Sequence, residues 1–342
     1  MTTSPPPRAN GLGRFIRQIQ ALTRWKEWAT SKLPFLISCL LITQLQADSR
    51  EEPADPLAIA LLFLQLCLLA AYGYMVNSFY DVRSDGAAGK PNAFSHLRVG
   101  EGRTLLGCWL GAAASLGILQ FASDGAVLLL LLACYGSSTA YSAPPLRLKE
   151  RGALGLITAS AAQRFLPVIL IFQALGTWSP AALLLCLLNG LVGLRYILAH
   201  QIDDYQADLR SSTETLATSQ GLASMRRLGR FLLFPLETLT LLIALLILQR
   251  DIPMLAWFLP AYLAILAGYL LLLPSHRLRV IDGSSYAPFS GLYNIFMPLY
   301  LAVLFAFSNH VDAVAGVTVA VCIALWLIPE VQEKVRILSG AP

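Results

Sequence analysis

The sequence predicts an all-α integral membrane protein, a single bundle of about ten spanning helices around a central cavity. Three observations predict it. Of 342 residues, 56% are hydrophobic and only 13% charged, against about a quarter charged in a soluble domain. The apolar residues gather into runs close to the ~20 residues that a helix needs to cross a bilayer: 31–47, 57–77, 104–121, 125–142, 154–175, 180–200, 231–249, 254–273, 291–308 and 313–331. Lys and Arg fall on alternate sides of these runs. Because a helix satisfies its own backbone polar groups inside lipid, each run reads as a helix.

Residues 1–30 form a polar segment ahead of the bundle, which occupies 31–334, and 335–342 form a short tail. Leu12, Phe15, Ile16, Ile19 and Leu22, interleaved with Arg14, Arg17 and Arg24, predict a basic amphipathic helix over residues ~12–28, lying on the membrane surface. The first twenty residues lack an apolar signal core, so no cleaved signal peptide is expected. Basic residues flanking spans stay cytoplasmic. Arg8, Arg14, Arg17, Arg24, Lys26 and Lys32 precede or open the first span, and the even-numbered loops carry most of the rest. The odd-numbered loops hold only Arg50 and Arg250. The N-terminus is therefore expected in the cytoplasm of a bacterial inner membrane. Ten spans return Lys334 and Arg336 to the cytoplasmic side, in agreement with the charge bias. The net charge of +5 expresses this bias and gives no support to nucleic-acid binding. The six cysteines lie inside apolar runs without metal-ligand spacing and read as packing residues.

The second run ends in "NSFYDVRSD", where Asn77, Asp81 and Asp85 recur at four-residue intervals. The sixth ends in "HQIDDYQAD", where His200, Asp204 and Asp208 repeat that interval. Three such positions drift by only about 80° around a helix and share a face. Crowded carboxylates repel unless a cation bridges them, and hard oxygen ligands suit Mg²⁺ held jointly with substrate phosphates. A single D-x-x-x-D reads as well as an ordinary helix end; two at matching positions on one side argue for a site. Between the fourth and fifth runs, "YSAPPLRLKERG" breaks the helix at Pro144 and Pro145 and then alternates Arg147, Lys149 and Arg151. Cations placed so can grip an oligophosphate, or can simply be positive-inside charge. Acids for Mg²⁺, cations for phosphate and a membrane body point to a substrate with a diphosphate head and a lipid tail, such as a prenyl diphosphate.

Arg164 and Arg195 sit inside apolar runs, where a charge is costly and faces the bundle interior or water. They are candidates for an acceptor carboxylate or the diphosphate, or for snorkelling to the interface. Pro167 is expected to kink its helix. His200 reads as a metal-site neighbour, a proton acceptor or a satisfied interfacial histidine. Asp203, about 100° round from Asp204, is ranked behind the ligands.

These residues resemble the UbiA superfamily of intramembrane prenyltransferases, whose members carry N-x-x-x-D-x-x-x-D after the second helix, D-x-x-x-D after the sixth, and a Y-S-x-P-P-x-R-x-K-like loop between the fourth and fifth. The counterparts run from Asn77 to Asp85, from Asp204 to Asp208 and from Tyr141 to Lys149, with "TLA" at Thr215 to Ala217. Two positions differ: Ser78 stands where many members have Asp, and His200 where many have Asn. The resemblance implies nine helices in the bundle, the number preferred over the ten runs counted, which leaves one late run re-entrant or interfacial or else an extra helix; it also implies Mg²⁺-dependent transfer of a prenyl group from a prenyl diphosphate to a small-molecule acceptor, for which an aromatic compound is favoured. Asn77, Asp81 and Asp85 would hold one ion, and Asp204 and Asp208 the other. Lys149, Arg147 and Lys90 would hold the diphosphate, and Tyr141 joins the acids and Lys149 in the catalytic set. Three rivals remain. A prenyl cyclase would quench the same cation internally. A CDP-alcohol phosphotransferase expects D-G-x-x-A-R, but the chain reads "DGAAGK" from Asp85. A transporter would place its acids nearer the membrane midplane.

Overall fold

The computed structural model describes residues 11–49, 55–210, 213–272, 291–308 and, in part, 316–326. The last predicted run, His276, His310, Lys334 and Arg336 lie wholly or largely outside these residues. The described helices are α1 (Gly11–Thr23), α2 (Trp25–Ser31), α3 (Leu33–Ser49), α4 (Pro56–Ala87), α5 (Val99–Phe121), α6 (Gly125–Ser142), α7 (Ala153–Ala174), α8 (Pro180–Asp203), α9 (Tyr205–Arg210), α10 (Leu216–Gln220), α11 (Leu222–Leu248), α12 (Phe258–Leu272) and α13 (Leu292–Ala306). Among the described residues there is no β-strand, only an isolated bridge between Gly152 and Thr215.

Among the described residues six helices, α4 to α8 and α11, are long and apolar enough to cross a membrane, and α2 with α3, bent by 47° where they meet, are so only when taken together. The apolar stretches at Pro253–Gly268 and Leu292–Ala306 are shorter. Large apolar side chains such as Leu119, Leu129, Leu183 and Leu271 face outward, as a lipid-embedded surface allows. Local chemistry sets the helix starts. Asp55 accepts from Leu57 N (2.9 Å) ahead of Pro56, Asp124 accepts from Ala126 N and Val127 N (3.0 Å each), and Ser179 accepts from Ala182 N (3.1 Å) ahead of Pro180. Each side chain satisfies donors that the first helical turn leaves open.

The amphipathic segment departs from the expected single helix. Arg24 adopts φ 51° and divides it into α1 and α2. The next break, at Lys32, falls just ahead of Pro34, whose ring would clash with the carbonyl one turn earlier. Prolines inside apolar runs act in another way. Each of three π-turns, Ala161–Phe165, Gly229–Leu233 and Leu292–Phe296, ends two residues before a proline, Pro167, Pro235 or Pro298. A widened turn accommodates the missing N–H and the ring clash, so Pro167 is met by a π-turn within one continuous span.

In the packing, α4 lies against α5 and α6; α7 against α6 and α8; α8 against α11; and α13 against α3, which also meets α7. Buried polar groups pin some of these contacts. Gln65 donates to Tyr135 Oη (3.2 Å), and Tyr72 Oη pairs with Thr139 Oγ1 (2.8 Å), joining α4 to α6. Arg195 of α8 forms a two-pronged pair with Glu237 of α11, Nε to Oε2 at 2.5 Å and Nη2 to Oε1 at 3.0 Å, and neither side chain has any exposed surface.

Glu237→Gln leaves Arg195 buried against a neutral partner and is expected to cost about 3–5 kcal/mol, while Arg195→Met with Glu237→Leu recovers most of it. Thermal unfolding in detergent measures both, and a Glu237→Gln protein melting like wild type would contradict the pairing. The helix α7 starts hard against the preceding loop: a Cβ on Gly155 would lie 2.8 Å from the Leu148 carbonyl oxygen and 2.9 Å from that of Lys149. Gly155→Ala should therefore lower stability by about 1–3 kcal/mol and displace that loop; an unchanged melting temperature would show that the contact yields.

Candidate active site

The first acid ladder rides one unbroken helix. The helix α4 runs ten residues past the predicted end of its apolar run, to Ala87, and carries Asn77, Asp81 and Asp85 with it. Asp81 is buried. Its Oδ1 accepts a close hydrogen bond from Lys149 Nζ and a longer one from Arg147 Nη2 at 3.4 Å. Asn77 Oδ1 accepts from Ser142 Oγ (3.1 Å) and from Lys149 Nζ (3.4 Å). The loop after α6 thus folds its two predicted cations back onto the first ladder. Arg147 adopts φ 37° to do so and also donates from Nε to Glu150 Oε1 (2.6 Å). Burial holds the Lys149 ammonium below its ordinary range, against the opposing pull of Asp81. Asp85 accepts from Asn92 Nδ2 (2.7 Å), a positioning residue that the sequence reading missed.

The second ladder is not one helix. The helix α8 stops at Asp203, Asp204 caps it, and α9 begins at Tyr205. The four-residue winding survives the break, because Asp204 N donates to His200 O and Asp208 N to Asp204 O, each at 2.9 Å. Asp204 Oδ2 lies 3.4 Å from His200 Nε2 and 3.7 Å from Lys90 Nζ. Burial, and then the neighbouring Asp204, raise the Asp208 carboxyl above its ordinary range, while a hydrogen bond from Thr215 pulls it back. Asp203 is exposed.

Two contacts bring these motifs to one place. Lys90, just past the end of the first ladder's helix, reaches Asp204 of the second. The Gly152–Thr215 bridge joins the loop bearing Lys149 to the loop that follows Asp208, and Gly152 at φ 52° suits a residue without Cβ. Asn77, Asp81, Asp85, Asp204 and Asp208 offer hard oxygen donors alone, the set that Mg²⁺ prefers. Among the described residues no three Asp, Glu, His or Cys side chains converge as a metal cage. Mg²⁺ ordinarily takes only one or two protein carboxylates and completes its shell with water and substrate phosphates, so the donors fit it.

Asn77, Tyr141 and His200 also line a cavity of about 470 Å³ that continues between apolar walls, including Leu36, Leu66 and Leu69. Of the aromatic residues near the motifs, Tyr74, Tyr141 and Tyr196 line it, whereas Phe79 packs on Phe94 (5.9 Å between centroids) and Tyr72 on Tyr135 (5.2 Å). Arg164 is buried in the π-turn of α7, its guanidinium 5.0 Å from the centre of the Tyr196 ring. Arg195 stacks near that ring at 5.1 Å but is bonded to Glu237. Tyr196 Oη accepts from Asn294 Nδ2 (3.0 Å), a contact across 98 residues that local sequence cannot announce. Lys32 and Glu27, also on the cavity wall, were read in the sequence only as flanking charge or not at all.

Comparison with known proteins gives the same direction. A UbiA homolog from Archaeoglobus fulgidus bound to GPP and Mg²⁺ shares the fold, with a TM-score of 0.56 and 16% identity over 91% of this chain and 99% of the other. The same homolog bound to DMAPP and Mg²⁺ aligns with a TM-score of 0.50 and 15% identity, covering 91% and 98%. A structure of digeranylgeranylglyceryl phosphate synthase aligns at 0.51 and 15%, covering 92% and 97%. No curated protein matches the sequence significantly. The sequence profile of the UbiA prenyltransferase family matches residues 35–285, which contain all three motifs, and the chain belongs to that family.

Proposed function

We propose that the protein transfers a prenyl group from a prenyl diphosphate to a small-molecule acceptor, aromatic in the favoured reading. What supports this reading is the approach of both acid ladders and the Lys149 loop to one another beside a cavity that Asn77, Tyr141 and His200 line. The bundle is read as nine membrane helices around that cavity, its N-terminus and site facing the cytoplasm of a bacterial inner membrane. The GPP and Mg²⁺ bound by the similar A. fulgidus protein support the donor class and the metal.

In this reading Asn77, Asp81 and Asp85 hold one Mg²⁺, and Asp204 and Asp208 another. When bound, the metal supplies Lewis-acid neutralisation of the departing diphosphate. The chain's own residues do the rest. Lys149 and Arg147, now spent on Asp81, and Lys90, now on Asp204, turn their donors to phosphate oxygens as the donor arrives. Tyr141 donates its hydroxyl to the same group. The allylic C–O bond then breaks with its electron pair leaving on diphosphate, and the apolar walls keep the carbocation from water. The acceptor's nucleophilic atom forms the new C–C or C–O bond and loses a proton, with His200 at the cavity mouth as candidate base.

The test is product formation by purified protein in detergent from radiolabelled geranyl, farnesyl and geranylgeranyl diphosphates with an acceptor panel, under Mg²⁺ or EDTA. Prenylated acceptor is expected only with metal. Asp81→Asn and Asp204→Asn should each lower turnover by about a hundredfold or more. Conversion of donor to a hydrocarbon without acceptor would establish cyclisation instead, and absence of both turnover and Mg²⁺-dependent donor binding would remove the diphosphate site.

A further inference from the structure

One wall of the cavity is built by residues that precede the family match. That match begins at residue 35, yet Arg24, Glu27, Ser31 and Lys32 all line the cavity. They stand on α2 and at its two ends, and α1 leads into them. The helix α1 packs on α4 and on a short 3-10 turn, Ala93–His96. That turn is latched beside the first ladder. Asn92 Nδ2 donates to Ser78 O (2.8 Å) as well as to Asp85, Asn92 Oδ1 accepts from Phe94 N (2.9 Å), and Phe94 is buried against Phe79. The helix α1 therefore lies at the end of the bundle where the acids emerge.

The two helices are clamped to each other. Trp28 Nε1 donates to Thr23 O (3.0 Å) across the hinge. Arg24, at φ 51°, donates to Glu27 from Nε (2.7 Å) and Nη2 (2.5 Å), and its guanidinium lies 5.3 Å from the centre of the Tyr74 ring. A non-glycine residue keeps left-handed backbone only where its neighbours hold it there, so a displacement of α1 is passed to α2 and the wall. The outer surface of α1 is strongly two-sided. Phe15, Ile16 and Ile19 share one side, and Arg17 lies about 150° from its middle. Ile19 and Leu22 are half-buried, but Phe15 is 59% and Ile16 46% exposed, and Arg17 and Lys26 are exposed too. Residues 1–32 hold six Arg and Lys against a single acid, Glu27, which Arg24 already engages. Apolar side chains beside uncancelled cations match an anionic leaflet, the first entering the acyl boundary and the second meeting headgroups. A second copy fits less well, because it would set this basic segment against itself.

We propose that α1 docks on the anionic headgroups of the leaflet around the bundle, with Phe15 and Ile16 in the acyl boundary, and that this docking fixes the α2 wall of the cavity. In a neutral membrane α1 is held by its protein contacts alone, and Arg24 to Lys32 loosen with it. The inference stands on the packing of α1 and α2 and does not require the transfer reading.

The test is hydrogen–deuterium exchange, read by mass spectrometry, on the full chain in nanodiscs of phosphatidylcholine alone and of phosphatidylcholine with phosphatidylglycerol. Backbone amides of residues 15–23 and 24–32 should exchange about tenfold more slowly in the anionic discs. The difference should vanish at ~1 M salt, where the Debye length falls to about 3 Å. The helix α8, on another wall, should exchange alike in both lipids. Arg14→Gln with Arg17→Gln, and separately Phe15→Ser with Ile16→Ser, should abolish the lipid response of both segments and leave α8 as in wild type. Equal exchange in the two lipids, or a response that survives high salt or the arginine substitutions, would overturn the docking. A response confined to 15–23 would overturn its hold on the wall. Slowing that follows the number of chains per disc and ignores lipid charge would assign the face to a second copy instead. Should a variant fail to fold, the salt dependence of the wild type still decides.

Discussion

The ion pair between Asp81 and Lys149 is the contact on which the site depends. It joins a carboxylate carried out of the apolar zone by α4 to a cation delivered by the loop after α6, and both partners are largely removed from solvent. An exposed pair of this kind would contribute little. Here the withdrawal from water strengthens it, and the neighbouring Asn77 and Arg147 share the same two groups. The loop so held starts α7, meets Thr215 through Gly152, and brings the second ladder alongside the first. Under the proposed function the pair would be provisional, because a carboxylate suited to Mg²⁺ and an ammonium suited to phosphate would satisfy each other only until their ligands arrive.

The rest of the bundle shows how polar groups are tolerated inside an apolar body. Arg195 with Glu237, and Asn294 with Tyr196, are pairs linking elements far apart in the chain. They hold α8 against α11 and α13, where hydrophobic contact alone gives little preference over lipid. The π-turns serve the same economy at the backbone, placing Arg164 and Asn294 beside prolines that an ordinary α-turn would not admit.

Much of this was legible in the residues. A twenty-residue apolar run is a strong signal: the run 125–142 coincides with Gly125–Ser142, and 154–175 is offset by one residue from Ala153–Ala174. The ladders were legible because their spacing is the helical period itself. The break after Asp203 was not, since no proline or glycine marks it. Arg195 was noticed as a charge within a span, and the same rule applied to Glu237, an acid within 231–249, identifies its partner 42 residues away. Lys32 escaped because it stands at the edge of a basic segment, where charge needs no special explanation. Only the bend ahead of Pro34 turns it onto the cavity wall.

The central claim is that the two ladders hold a single ligand between them, and coupling tests this more directly than loss of activity. Affinity for farnesyl thiodiphosphate with Mg²⁺ should be measured for wild type, Asp81→Asn, Asp204→Asn and the double variant. The account predicts strong non-additivity: once one ladder is disabled, disabling the other adds little, with a coupling energy above about 1 kcal/mol. Effects that add to within about 0.5 kcal/mol would show two independent groups of acids and contradict it.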